Sequence, residues 1–65
     1  MKIEKGKTYS GPGFLHRRVD DIVEPDGHSV HVFFTWTRYG KFHGRGNCTL
    51  KYFERWAWKE VGGAR

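Results

Sequence analysis

The stretch His28-Ser-Val-His-Val-Phe-Phe-Thr-Trp-Thr37 decides the fold. It is rich in β-branched and aromatic residues, and Val30, Val32, Phe34 and Trp36 alternate with Ser29, His31, Phe33, Thr35 and Thr37. A period of two over this length predicts a half-buried strand rather than a helix. The first set should face a core. Phe33 then falls among polar residues on the opposite face, an unusual place for a phenyl ring.

Working outward, Glu24-Pro-Asp-Gly27 has the chemistry of a hairpin turn, with Pro fixing φ early and Asp-Gly at the exit. Phe14 to Val23 reads as the preceding strand, with Leu15, Val19 and Val23 on one face. Strict alternation puts Arg17 and Asp21 on that same face. A bulge near Asp20-Asp21 would turn Ile22 inward and remove part of the conflict. Ser10-Gly-Pro-Gly13 is a turn, and Gly6 to Tyr9 opens a short first strand with Ile3 and Tyr9 as inward anchors. On the other side, Arg38-Tyr-Gly-Lys41 reads as a second turn. Lys41 to Asn47 reads as an edge strand or a mobile loop. A helix is predicted over about residues 49–61, capped by Asn47 or Thr49. Its apolar stripe is Leu50, Phe53, Ala57 and Val61, with Trp56 on the edge, and Gly62-Gly63 ends it. The fold class is therefore α+β, mostly β: a strongly bent antiparallel sheet with one C-terminal helix, in a single domain over 1–65.

A chain of 65 residues sits at the lower edge of what buries its own core. Cys48 is the only cysteine, which excludes an intrachain disulfide and fits a reducing, cytoplasmic setting. Five Phe, three Tyr and three Trp supply the alternative, a thin core of large rings. A homodimer is another route to stability. No stretch has the length and apolarity of a signal core or a membrane span, so no membrane association is expected.

Catalytic and metal chemistry find little support. His28-x-x-His31 places two rings on opposite faces of a strand, and no second cysteine completes a zinc pattern. Cys48 with His43 is the one pair to weigh as nucleophile and base, and a domain this thin offers little shelter for a site. Cys48 reads more simply as a small, partly buried residue near the helix start, where a thiol pKa would be lowered. Gly40, Gly44 and Gly46 do not stand between a strand and a Lys-Ser/Thr helix start, so they make no phosphate loop. No enzyme activity, metal or cofactor is expected.

Three segments carry a family resemblance: Gly6-Lys-Thr-Tyr9, Arg17-Arg-Val-Asp-Asp-Ile22 and Cys48-Thr-Leu-Lys-Tyr-Phe-Glu-Arg-Trp-Ala57. Together they resemble small, mostly uncharacterised proteins of bacteriophages and prophages, which open on a Gly-Lys-Thr-Tyr strand and close on a Leu-x-x-Phe-x-x-Trp-Ala helix. The resemblance implies an SH3-like barrel with an appended helix, and a phage or prophage origin. It implies no activity and carries over no site residues.

Charge points to binding. The net charge is +5, and the segment from Arg38 to Lys59 holds six bases (Arg38, Lys41, Arg45, Lys51, Arg55, Lys59) against the single acid Glu54. Such segregation suits an anionic partner, and it also serves plain solubility. On the expected helix, Trp58 lies off the apolar stripe beside Lys51 and Arg55. There it either completes the core under a sheet edge or stands exposed to stack on a partner. Tyr39 and Phe33 are its counterparts on the sheet. The expectation is a small basic module that binds DNA or RNA through Arg38, Tyr39, Lys41, Arg45, Lys51, Arg55, Trp58 and Lys59. The alternative is a protein-interaction accessory factor that docks on an acidic surface and modulates a host protein.

Overall fold

The computed structural model describes residues 1–24 and 29–61. The elements are β1 (Thr8–Gly11), a 3-10 turn (Pro12–Phe14), β2 (Leu15–Val23), β3 (His31–Arg38), β4 (Lys41–Thr49), α1 (Leu50–Trp56) and β5 (Lys59–Val61). All pairings are antiparallel, and the strand order is β4-β3-β2-β1-β5. β4 and β5 are the two edges and do not pair with each other, so the sheet stays open and does not close into a barrel. The Pro25–Gly27 part of the expected hairpin and the Gly62-Gly63 stop lie outside the described residues.

The alternation read along β3 sets the inner face. Val32 and Phe34 are buried there, and Trp36 packs against them. Their partners on β2 are Ile22, Val19 and Arg17. The register shifts between Val19 and Asp21, so a bulge turns Ile22 to the core and Asp21 to the outer face, opposite Phe33. The expected bulge is thus present. It has the physical cause inferred for it, since without the extra residue an aspartate would point inward.

Tyr9 and Ile3 are the inward anchors at the N-terminus, as expected. The Tyr9 hydroxyl donates to the Lys2 carbonyl and accepts from the Glu4 N–H at 2.8 Å. That pair of bonds ties residues 2–4 across the core and holds Ile3 in place. The same Tyr9 ring meets Phe53 of α1 edge-on at 5.7 Å, and Phe53 also meets Phe34 at 5.7 Å and Trp56 at 5.5 Å. Phe53 is fully buried. A seven-residue helix is too short to hold in isolation, and this ring cluster is what stabilises it. Thr49 caps it, its hydroxyl accepting from the Tyr52 N–H at 3.2 Å.

The helix is shorter than the periodicity implied. Its last intrahelical bond runs from Ala57 N–H to the Phe53 carbonyl, and Ala57 itself has an extended ψ of 125°. The Trp58 N–H then donates to the Ser10 carbonyl at 2.8 Å, and Lys59–Val61 pairs with β1. Val61 therefore belongs to an edge strand, not to the helical stripe. The free edge of β1 offers backbone partners that outweigh a further half-turn of helix. Leu50, Phe53 and Ala57 do pack inward as expected, with Trp56 beside them.

Arg17 is the unusual member of the inner face. Its guanidinium lies 4.5 Å from the Phe34 centroid and 4.2 Å from that of Trp56. Nε and Nη1 are buried with no hydrogen-bond partner among the described residues. Both ring faces substitute for those partners by cation–π attraction. Burial pulls the guanidinium below its ordinary value, with Cys48 and Tyr52 acting in the opposite sense. Arg17 thus extends the ring stack beyond the reach of the short helix.

Gly11 marks the tightest approach. A Cβ there would overlap the Trp56 ring and come within 2.7 Å of the Trp56 carbonyl. Gly11→Ala should lower stability by about 2 kcal/mol through overpacking, read as a lower urea midpoint at unchanged m-value. An unshifted midpoint would show that Trp56 is not seated against β1.

Candidate functional site

Cross-strand partners share a face of a sheet, so the register gives the composition of the face turned away from α1. One row runs Val61, Thr8, Arg18, Thr35, Arg45 across all five strands. The next holds Lys59, Ser10, His16, Thr37 and Phe42, and on the other side Asp21, Phe33 and Asn47 stand in line. No described element covers this face. Arg18, Arg45, His16, Lys59, Phe33 and Phe42 are all exposed on it.

Two bulges build it, one on each neighbour of β3. The β2 bulge frees Asp20, whose carboxylate accepts from the Thr35 hydroxyl at 2.5 Å and from Arg18 Nε at 3.0 Å. Burial opposes ionisation of Asp20, and the Thr35 and Arg18 bonds outweigh it, holding the carboxyl below the usual carboxylate range. The β4 register shifts between Trp36 and Thr37. Simple alternation would have paired Phe42 with Arg38 and turned it inward. The shift places Phe42 opposite Thr37 on the outer face, while His43 stacks on Trp36 at 5.1 Å. Bulges commonly re-aim side chains beside functional sites.

Between Arg18 and Arg45 lies a depression of about 340 Å³, floored by Thr35 and Asp20 and bounded by Phe33. That volume is at the lower end of small-ligand sites. A hollow of about 410 Å³ at the start of α1 is larger, but it carries one base and one acid, Lys51 and Glu54, and no aromatic ring. Arg18 is engaged by Asp20, and Arg45 has no ion-pair partner among the described residues.

The eight residues singled out from the sequence do not form one site. Arg45 and Lys59 stand on the outer face. Lys51 and Arg55 are exposed on α1, on the opposite side of the sheet. Arg38, Tyr39 and Lys41 occupy the β3–β4 turn. Trp58 is 66% exposed, so it does not complete the core, but it belongs to the link between α1 and β5 and not to a helical flank beside Lys51 and Arg55. Lys41–Asn47 is an edge strand, part of β4. Sequence reasoning missed Arg18, His16 and Phe42. The alternation along β2 could have marked Arg18, since its neighbour Val19 points inward. Nothing local marked the β4 bulge that exposes Phe42.

Cys48 and His43 do not meet. Five residues apart on one extended strand, they are separated by about 16 Å. Burial raises the Cys48 thiol pKa, against a smaller opposing effect of Arg17. This reverses the lowering expected near a helix start, because Cys48 points into the sheet–helix packing. Among the described residues no three His, Cys, Asp or Glu side chains converge to hold a metal, and no helix is long and apolar enough to cross a membrane.

At one end of the sheet Phe14 and Tyr39 stack at 5.9 Å, both exposed and both at positive φ, 60° and 54°. The Arg38 guanidinium lies 5.7 Å from the Tyr39 ring. Comparison with family models, with curated proteins and with solved structures found no match.

Tyr39 and Gly40 form a two-residue hairpin turn with positive φ at both positions, which favours Asn-Gly over Tyr-Gly. Tyr39→Asn should leave stability unchanged or raise it by up to about 1 kcal/mol despite the lost ring. Thermal or urea unfolding reads this directly, and a loss beyond about 1 kcal/mol would make the Phe14–Tyr39 stack a structural element.

Proposed function

We propose that this protein is a nucleic-acid-binding module, phage- or prophage-encoded, and that the outer face of its sheet is the binding surface. One observation carries the reading: Arg18, Arg45 and His16 flank two exposed phenyl rings, with Lys59 at the far edge of the same face, and no described element covers that face. A sheet facing water has no structural need for Phe33 and Phe42, whereas bases interleaved with rings suit phosphates and nucleobases. The reading is one of binding and includes no catalytic step.

A second reading has its own support. The Phe14–Tyr39 stack is exposed and strained, and strain of this kind accumulates at interaction sites. An accessory factor docking on an acidic protein surface through that turn would use it, together with Arg38 and Lys41. Its signature is a host protein that co-purifies after nuclease treatment and is lost with Phe14→Ser.

Fluorescence anisotropy with a labelled oligonucleotide tests the first reading. Affinity should fall steeply with salt, as counterion release requires. Arg45→Ala should weaken binding and reduce the salt slope by about one. Asp20→Asn, which removes the negative charge beside Arg18, should strengthen it. Lys51→Ala and Arg55→Ala, on the far side of the sheet, should change little. Absence of binding at low salt, or loss confined to the helix variants, would reject the outer face.

A further inference from the structure

Resting on the nucleic-acid reading, we infer that the ligand is single-stranded and lies along β3 and β4, with one base stacked on Phe33, another on Phe42, and the connecting backbone crossing Arg45. The rings set this geometry. Phe33 is opposite Asn47, and Phe42 is opposite Thr37, four residues further along β3 on the neighbouring strand. At strand spacing the two positions are about 14 Å apart. The Arg18–Thr35–Arg45 row falls midway between them. Cation and ring therefore alternate along the strands, ring, then arginine pair, then ring.

That order fits an unpaired strand and not a duplex. A stacking platform needs the flat face of a base, which a base pair inside a helix does not present. Phe33 and Phe42 are 42% and 65% exposed, so each offers ring surface to a base without rearrangement of the core. The depression beside Phe33 is bounded by Arg18 and Arg45, whose guanidinium groups suit phosphate oxygens. A track of this length takes about four nucleotides, the small end of the site sizes known for single-domain binders of single strands.

The outer edges of the track follow from the same register. His16 on β2 and Lys59 on the far edge strand β5 share the Phe42 row, about 10 and 19 Å from that ring at strand spacing, so a longer strand reaches them by turning across the sheet at that end. At the Phe33 end the row closes on Asp21, an acid. The track is thus more basic toward Phe42, and a strand longer than the track gains affinity on that side.

The test uses the full chain and labelled oligothymidylates of increasing length, with a matching duplex and polyglutamate as competitors. Affinity should climb with length up to about four nucleotides and then rise only slowly. The duplex should bind at least about tenfold more weakly than the single strand, and Phe33→Ala and Phe42→Ala should each cost about tenfold. Phe33→Leu keeps an apolar side chain of similar bulk, and it should lose as much as Phe33→Ala. Both positions are exposed, and unchanged urea midpoints establish that the variants fold. Equal binding of duplex and single strand, or full affinity in Phe33→Leu, would overturn the stacked track while leaving a salt-dependent nucleic-acid binder. Competition by polyglutamate as strong as by the oligonucleotide would overturn it in favour of an acidic protein ligand. No binding to any oligonucleotide would instead remove the reading on which it rests.

Discussion

The Phe53 ring is the contact on which the rest of the structure depends. It is fully buried and touches a ring of β1 (Tyr9), a ring of β3 (Phe34) and its helical neighbour Trp56. A single side chain thus joins the helix to strands on both sides of β2. A sheet of five strands has two faces to satisfy, and the described chain has one seven-residue helix with which to do it. Phe53 fixes that helix over one face. Arg17, laid across Phe34 and Trp56, extends the covering where the helix stops. Gly11 and Gly46 leave the necessary room, since a Cβ at either would press on Trp56 or on the Phe34 ring.

The opposite face follows as a consequence. No described element covers it, so it must tolerate water, and most of it does so with Thr, Ser, Arg and Asn. Phe33 and Phe42 are the exposed exceptions, and Phe42 reaches that face only because β4 is bulged. Neither ring contributes to the buried core cluster. The charge distribution has the same character. Asp20 is held by Thr35 and Arg18 and offsets part of the positive charge, but Arg45 and Lys59 have no acid of their own within ion-pair distance among the described residues. The proposed binding role accounts for cations and rings on this face that the packing does not use.

Much of the fold was legible because local pattern and tertiary packing agree along β2, β3 and the start of α1. Period-two alternation identified the inward residues of β3, and the misfit of Asp21 identified the β2 bulge. The paired cap and stripe identified where the helix begins. The end of that helix was not legible. Residues 57–61 keep a helical pattern of apolar positions, yet Lys59–Val61 is captured by the edge of β1, a partner about fifty residues away in sequence. A wheel drawn through Trp58 therefore described a surface that does not exist. The candidate site was legible in its ingredients and not in its assembly. Phe33 and Arg45 could be marked as out of place or basic, but only the register brings Arg18 from β2 beside them. Phe42 depended on a bulge at His43 that no local motif announces.

The central claim is that the two faces of this sheet divide the work, one for stability and one for binding. Amide and aromatic chemical shifts recorded while a short single-stranded oligonucleotide is titrated into the protein test it most directly. The account predicts that perturbations concentrate on Arg18, Phe33, Phe42 and Arg45, with Phe53, Lys51 and Arg55 little affected. Perturbations centred on α1, or none at all at low salt, would contradict it.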